Sequence, residues 1–177
     1  MLLIQMTGMS GAGKSTIAQA AEETLLAFGY AVELIDGDVY RQRLCKDLGF
    51  SKADRLENIR RLGAVGLEMV QNGVIAVLAT INPYEEARAR LSAQSPSVKT
   101  VYIQCPLSIL QERDTKGLYR RAALPKEHPD HVAHFTGISD PYEVPLNPDL
   151  TLDTSRETIE TATQQLIDFI LENIKTD

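Results

Sequence analysis

GMSGAGKS, Gly8 to Ser15, decides how the rest of this chain is read. It carries G-x-x-x-x-G-K-[ST] at every fixed position, the spacing of a phosphate-binding P-loop. Before it lies LLIQMT, Leu2 to Thr7, an apolar run that predicts a buried strand. After it, Ser15 to Phe28 is rich in helix formers, with Ile17, Ala20, Ala21, Leu25 and Phe28 at helical spacing. A strand, a glycine loop and a helix N-terminus in succession make an anion site, because backbone N–H groups converge there and the helix dipole favours negative charge. The loop residues Gly8, Met9, Ser10, Gly11, Ala12, Gly13, Lys14, Ser15 and Thr16 are therefore the expected contacts of ATP. Lys14 is expected to reach the β- and γ-phosphates, and the Ser15 hydroxyl to hold Mg²⁺.

Outward from the loop, strand and helix patterns alternate. Tyr30–Ile35 reads as a second strand ending at Asp36-Gly37-Asp38, and Val39–Lys46 as a short helix. Ser51 caps a helix running to about Gln71, with Ile59, Leu62, Gly66, Met69 and Val70 on one face, and Asn72-Gly73 ends it. Val74–Thr80 is the most apolar run and predicts a central parallel strand buried on both faces. Pro83 is expected in the first turn of the next helix. Val98–Gln104 reads as the fourth strand, Pro106–Arg113 as a short helix and Leu150–Leu152 as the last strand. A capping box at Thr154–Glu157 opens a final helix with Ile159, Ala162, Leu166, Phe169 and Ile170 toward the core. The expected fold is α/β: a doubly wound, five-stranded parallel sheet with helices on both faces, nucleotide-kinase-like, forming one domain over residues 1–177. Residues 114–148 have little periodicity and predict a lid. Ligands of such sheets bind beyond the carboxyl ends of the strands, where the P-loop, Asp36–Asp38 and Thr80–Asn82 all fall.

The chain has 177 residues, a net charge of −6 and 44% hydrophobic content. These values suit a globular protein and disfavour a nucleic-acid partner. No run is long enough to cross a membrane, and with the P-loop starting at residue 8 no signal peptide is expected. Cys45 and Cys105 read as reduced thiols of a cytoplasmic protein. Cys45 sits among basic residues, yet a packed thiol is the favoured reading. Lys14, Arg41, Arg43, Lys46, Arg55, Arg60, Arg61, Arg113, Lys116, Arg120 and Arg121 all fall in stretches assigned to the site, so a small anionic substrate is expected. His128, His131 and His134, spaced by three, could share a helical face around Zn²⁺. A polar loop is the favoured reading, because no fourth ligand stands near them.

Carboxylates facing a P-loop have two uses: one takes the proton of an attacking hydroxyl, the other holds Mg²⁺. No aspartate ends the Val74 strand, so Asp36 and Asp38 must share these roles, and the residues leave open which does which. No N-K-x-D motif is present, which argues against a GTPase. Gluconate-type sugar kinases carry a similar pair of motifs, so P-loop and Asp-Gly-Asp alone indicate a small-molecule kinase.

Four further stretches narrow this reading: GDVYR (Gly37–Arg41), LGFSKADRLENIRR (Leu48–Arg61), RDTKGLYRRA (Arg113–Ala122) and FTGISDPYEVPLNPDL (Phe135–Leu150). With GMSGAGKS they closely resemble the adenylylsulfate kinase family, in the family's order and over nearly the whole chain. The resemblance implies phosphorylation of the 3′-hydroxyl of adenosine 5′-phosphosulfate (APS) by ATP, giving 3′-phosphoadenylyl sulfate for sulfate assimilation. It implies a homodimer as well. It makes Lys14, Asp36 and Asp38 catalytic, with Ser15 and Asp36 toward Mg²⁺. Asp38, Arg41, Phe50, Arg55, Asn58, Ile81, Asn82, Lys116 and Phe135 become substrate contacts. Phe50 and Phe135 match two rings that sandwich the adenine of APS; Phe135, in a polar lid, is expected to lack a core partner. Forked Arg and Asn donors suit a phosphosulfate. This chain departs from the family in three places: Val39 where an Asn is usual, Asn82-Pro83-Tyr84 where Ser-Pro-aromatic is usual, and a longer Ala123–His134 link. A serine in place of Asn82 could carry a phosphoryl group; an asparagine cannot, so direct transfer is expected. The alternative is a kinase of the same fold acting on another nucleotide with a charged phospho-anhydride. A non-catalytic nucleotide-binding module is disfavoured by the intact set of Lys14, Ser15, Asp36 and Asp38.

Overall fold

The computed structural model describes residues 1–174. Five strands form one parallel sheet: β1 (Leu3–Thr7), β2 (Val32–Asp36), β3 (Ile75–Ala79), β4 (Val98–Gln104) and β5 (Leu150–Asp153), in the order β2-β3-β1-β4-β5. The central strands β1 and β3 are buried at every residue, as suits strands covered on two faces.

Neighbouring side chains of β1 point to opposite sides, so Leu3 and Ile4 belong to different cores. On one side Ile4 and Met6 pack with α1 (Lys14–Ala27) and α7 (Ile159–Ile174) through Ile17, Ala21, Leu25, Leu166 and Ile170. On the other, Leu3, Ile35 and Leu78 pack with α3 (Lys52–Gln71) and α4 (Glu85–Ser92) through Ile59, Leu62 and Leu91. Each such side chain contributes about 1.5–3 kcal/mol on burial. Three short helices complete the chain: α2 (Gly37–Arg41), α5 (Leu107–Arg113) and α6 (Leu118–Ala122). The Ser51 cap forms as expected, accepting from Asp54 N at 3.1 Å.

Several local expectations move. Phe28 lies at the C-cap of α1 and is 61% exposed. The second helix ends at Arg41 and continues as turns. Pro83 precedes α4 instead of entering its first turn, because Tyr84 is the N-cap. The capping box does not form at Thr154–Glu157, which is a turn; Thr158 Oγ1 accepts from Thr161 N instead, and α7 starts at Ile159, which stays half exposed. The irregular segment acquires one short helix, α6.

Strand register brings the site together. Asp36 of β2 stands level with Ala79 of β3, and Ala79 with Met6 of β1. The next residues of all three strands therefore leave the same edge of the sheet. They are Gly37-Asp38, Thr80–Asn82 and the loop that begins at Gly8.

Candidate active site

The P-loop is shaped by what its backbone touches. A Cβ on Gly8 would stand 2.6 Å from the carbonyl oxygen of Ile103, so only glycine fits against β4 there. Gly13 caps α1 at φ 101°, a conformation that glycine adopts without strain. The loop's carbonyls are taken up by protein donors. Lys14 Nζ donates to Gly8 O and Met9 O at 2.8 Å each, Tyr119 Oη to Ser10 O at 2.9 Å, and Thr154 Oγ1 to Ala12 O at 2.9 Å. The first N–H groups of α1 have no intrahelical acceptor, which is the arrangement that receives a phosphate. Burial, reinforced by the neighbouring Lys116 ammonium, draws Lys14 down from 10.5 to about 7. Burial also pushes the Tyr119 phenol up to about 12, so it remains a donor to the loop.

Beside the loop, Asp36 caps α2. Its Oδ1 accepts from Asp38 N at 2.9 Å and Val39 N at 3.2 Å, and its Oδ2 accepts from Ser15 Oγ at 2.7 Å. A hydroxyl and a carboxylate held together at the mouth of a P-loop are hard oxygen donors of the kind a magnesium ion takes, with phosphates and water supplying the rest. Asp38 is placed differently. Its carboxylate stands 77% exposed and pairs with Lys116 Nζ at 2.6 Å, joining the sheet edge to the 114–148 segment.

A cavity of about 580 Å³ opens above these groups. It is lined by Ser10, Gly11, Gly13, Lys14, Ser15 and Thr16 of the loop, and by Asp36 and Asp38. Every expected substrate residue also lines it: Asp38, Arg41, Phe50, Arg55, Asn58, Ile81, Asn82, Lys116 and Phe135. Gly8, Met9 and Ala12 do not. Gly8 packs on Ile103, Ala12 is core, and Met9 faces a second cavity beside Gly137 and Tyr142. Of the eleven cations in the assigned stretches, four line the cavity: Lys14, Arg41, Arg55 and Lys116. Arg60 and Arg61 bind Glu57 and Asp47 instead, Arg120 binds Asp114, Arg113 donates to Thr154 O and Arg121 to Asp130 O. The basic stretches thus supply fewer site charges than their sequence suggests, because nearby acids and carbonyls claim five of the other seven.

The two rings differ from the expectation. Phe50 is 55% exposed and lies under the guanidinium of Arg41, 4.2 Å from the ring centroid, with Arg55 at 5.7 Å. Arg41 in turn donates to Leu48 O at 3.1 Å and to Gly49 O. Phe135, expected to stand without a core partner, is 6% exposed and meets Tyr119 edge-to-face at 4.9 Å. The partner comes from α6, a helix too short for sequence periodicity to disclose.

Some features of the site are absent from the sequence reading. Asn58 Oδ1, Thr80 Oγ1, Asn82 Oδ1 and Thr136 Oγ1 are buried without a hydrogen-bond partner, and all four residues line the cavity. Buried polar atoms left unpaired are costly, so their clustering here marks a surface built for a polar ligand. Asn82 adopts φ 42°, and its carbonyl accepts from Thr7 Oγ1 at 3.0 Å and from the buried Arg88 at 2.7 Å. Arg88 has no motif that announces it. The three histidines do not converge: His128 Nδ1 accepts from Asp130 N, His131 Nδ1 contacts Leu124 O and His134 Nδ1 lies near Asp140. Among the described residues no group of three His, Cys, Asp or Glu side chains is gathered for a metal. Both cysteines are buried and unbridged, and burial pushes the Cys45 thiol up, as befits a packed group. No helix among the described residues is long and apolar enough to cross a membrane.

Known proteins agree with this geometry. The adenylyl-sulfate kinase of Deinococcus deserti is 46% identical over 168 residues, 95% of this chain and 90% of that protein. The adenylyl-sulfate kinase of Chloroflexus aurantiacus is 48% identical over 153 residues, 86% of this chain and 80% of its own. The Mycobacterium tuberculosis APS kinase, solved with AMPPNP and APS, superposes with a TM-score of 0.88 at 38% identity, covering 96% of each chain. A gluconokinase from Sinorhizobium meliloti shares the fold at 18% identity, with a TM-score of 0.61 over 98% of this chain and 95% of its own. Residues 1–153 match the family described as adenylylsulphate kinase. With the phosphate loop, the paired strand-end aspartates and the two-ringed cavity on one sheet edge, the chain belongs to the adenylylsulphate kinase family.

Proposed function

We propose that this protein transfers the γ-phosphoryl group of ATP to the 3′-hydroxyl of adenosine 5′-phosphosulfate. The observation that carries the reading is the single cavity in which the phosphate loop faces Phe50, Arg41, Arg55, Asn58, Lys116 and Phe135. One wall suits a triphosphate; the other offers aromatic faces for a base and forked donors for an anhydride-linked anion.

In this reading Asp38 accepts the proton of the attacking hydroxyl, and the hydroxyl oxygen bonds to the γ-phosphorus as its bond to the ADP oxygen breaks. The exposed carboxylate of Asp38, paired with Lys116, favours it for that task. Asp36 is already spent on the α2 cap and the Ser15 hydroxyl, which favours it for holding Mg²⁺. A magnesium ion bound there neutralises charge on the phosphates. Lys14 stabilises the charge developing on the moving group. Asn82, 1% exposed and donating to Gln5 Oε1 at 3.2 Å, has no hydroxyl to carry a phosphoryl group, so in this reading transfer is direct and no phosphoenzyme forms. The 114–148 segment acts as a lid that excludes water. The proposal extends to a cytoplasmic location, supported by the two unbridged thiols, and to a homodimer, which rests on the family resemblance alone and is checked by light scattering.

The test is an acceptor panel with ATP and Mg²⁺: APS, adenosine 5′-phosphate, other nucleotides with a charged anhydride, gluconate and shikimate. Phosphorylation of APS at the 3′-position, far above all others, is the expected result. Preference for another anhydride nucleotide, or no turnover of any acceptor, overturns it.

A further inference from the structure

Arg55 lies on α3 and lines the cavity, yet it does more than present a charge. Its Nε donates to Phe50 O at 3.0 Å, and its Nη2 donates to His134 O at 2.6 Å and to Asp140 Oδ2 at 3.2 Å. One guanidinium therefore joins the backbone beside both rings, Phe50 on one wall and Phe135, next to His134, on the other. Asp140 is the single anionic partner in that set. It also closes the turn that carries Phe135: Asp140 N donates to Phe135 O at 3.1 Å, and Asp140 O accepts from Gly137 N at 2.8 Å. Its second carboxylate oxygen faces His134 Nδ1 at 3.4 Å.

Exposed ion pairs have little effect, because water competes and flexible side chains lose entropy. This pair is sheltered, with the side chains of Arg55 and Asp140 only 11% and 15% exposed. The geometry is directional too. A guanidinium is a rigid planar fork with five N–H donors, so fixing two of its nitrogens fixes the plane of the third. The bonds that Arg55 forms among the described residues use Nε and Nη2, which leaves Nη1 for an anion in the cavity.

We propose that Asp140 is a positioning residue that orients the Arg55 guanidinium toward the acceptor's anionic group without touching the acceptor. This rests on the reading of Arg55 as an acceptor contact. The sign of the effect is decisive. A carboxylate that merely stood near the acceptor would repel its anion, so removing its charge would tighten binding. A carboxylate that works through Arg55 does the opposite.

The experiment compares the full-length protein with Asp140→Asn, Asp140→Glu, Arg55→Ala and the Asp140→Asn/Arg55→Ala pair. All of these keep the backbone bonds of residue 140. The readouts are KM for APS, kcat, the Kd of a non-hydrolysable ATP analogue, and Tm. Asp140→Asn is expected to raise the KM for APS roughly tenfold, with kcat and the analogue Kd little changed, as a lost pairwise coupling of ordinary size would. Asp140→Glu, which keeps the charge, recovers most of the loss. The double variant matches Arg55→Ala alone, since Asp140 then has no guanidinium to act through. The proposal is overturned by an unchanged or lowered KM in Asp140→Asn, by additive losses in the double variant, or by a parallel loss of analogue binding and Tm. An Arg55→Ala protein with normal KM overturns it together with the role given to Arg55. Turnover of APS by the wild type separates these failures from failure of the proposed function itself.

Discussion

The floor and the roof of the cavity are built on different plans. The floor is the loop from Gly8 to Ser15 with Asp36 beside it, and short-range bonds shape its cationic and its anionic group. Lys14 bonds the carbonyls five and six residues before it, and Asp36 bonds the amides two and three residues after it. The roof is Phe50, Arg41 and Arg55 on one side and Lys116 to Asp140 on the other. Its defining contacts span 78 residues from Lys116 to Asp38, 79 from Arg55 to His134 and 109 from Tyr119 to Ser10. Local bonds begin the floor, and distant donors, Tyr119 to Ser10 O and Thr154 to Ala12 O, complete it. A roof held by distant bonds exists only when the whole chain is folded. Damage to the floor should therefore appear in chemistry, and damage to the roof in acceptor binding and stability.

The sharpest test lies where the two meet. Asp38→Asn keeps the shape and removes the proposed base, so kcat is expected to fall by about 10²–10⁴-fold with ATP-analogue affinity nearly unchanged. A variant with wild-type turnover would remove Asp38 from the chemistry. Lys14→Ala comes next: kcat is expected to fall by about 10²–10³-fold, as for loss of one preorganised donor to a developing negative charge. Tm should hold, and steady-state kinetics with a melting curve checks both halves of the claim.

The two rings of the roof then separate from each other. Phe50 is exposed and Phe135 buried against Tyr119. Both substitutions by alanine should weaken APS by roughly ten- to a hundredfold, from a stacking contribution of about 1–3 kcal/mol per base. Only Phe135→Ala should also cost about 3–5 kcal/mol of stability, as core aromatics do. Titration calorimetry for APS beside denaturant unfolding distinguishes them. Equal Tm values for the two variants would mean that Phe135 is not a core residue.

The smallest effect is protonic. Lys14 is held near 7 in the folded protein. A triphosphate beside it favours the charged form, so binding at pH 8 should take up a fraction of a proton, and affinity should fall as pH rises through this group's range. Calorimetry in buffers of different ionisation heats measures the uptake. Stability of the ligand-free protein runs the other way: between about 7 and 10.5 the unfolded chain holds the extra proton, so this lysine makes unfolding harder as pH rises. Proton release on binding would contradict the burial assigned to Lys14.

Among individual residues, legibility followed contact distance. Ser51, Lys14, Ser15 and the strand ends were readable because periodicity, capping and motif spacing are local patterns. The proposed acceptor residues Arg41, Phe50, Arg55 and Asn58 came from family resemblance, and all of them line the cavity. Ile159 was read as core yet is half exposed, and Phe28 ends its helix exposed, since a helix end continues the apolar period past the surface that covers it. Arg60 and Arg121, singly, read as solvated charges; Arg61 and Arg120 looked like site charges, but Asp47, Glu57 and Asp114 hold them.

Alternating strand and helix periods, the P-loop spacing and the Asp-Gly-Asp turn made the fold class, the phosphate loop and the two strand-end aspartates legible, because each is a local pattern. Which distant side chains meet, in floor and roof alike, was decided only by the tertiary structure. It put Tyr119 against Phe135, gave Asp38 to Lys116 and Asp36 to Ser15, and bound Arg55 between His134 and Asp140. Those partners lie tens of residues apart, and no local period or spacing encodes which distant donor a given acceptor will meet.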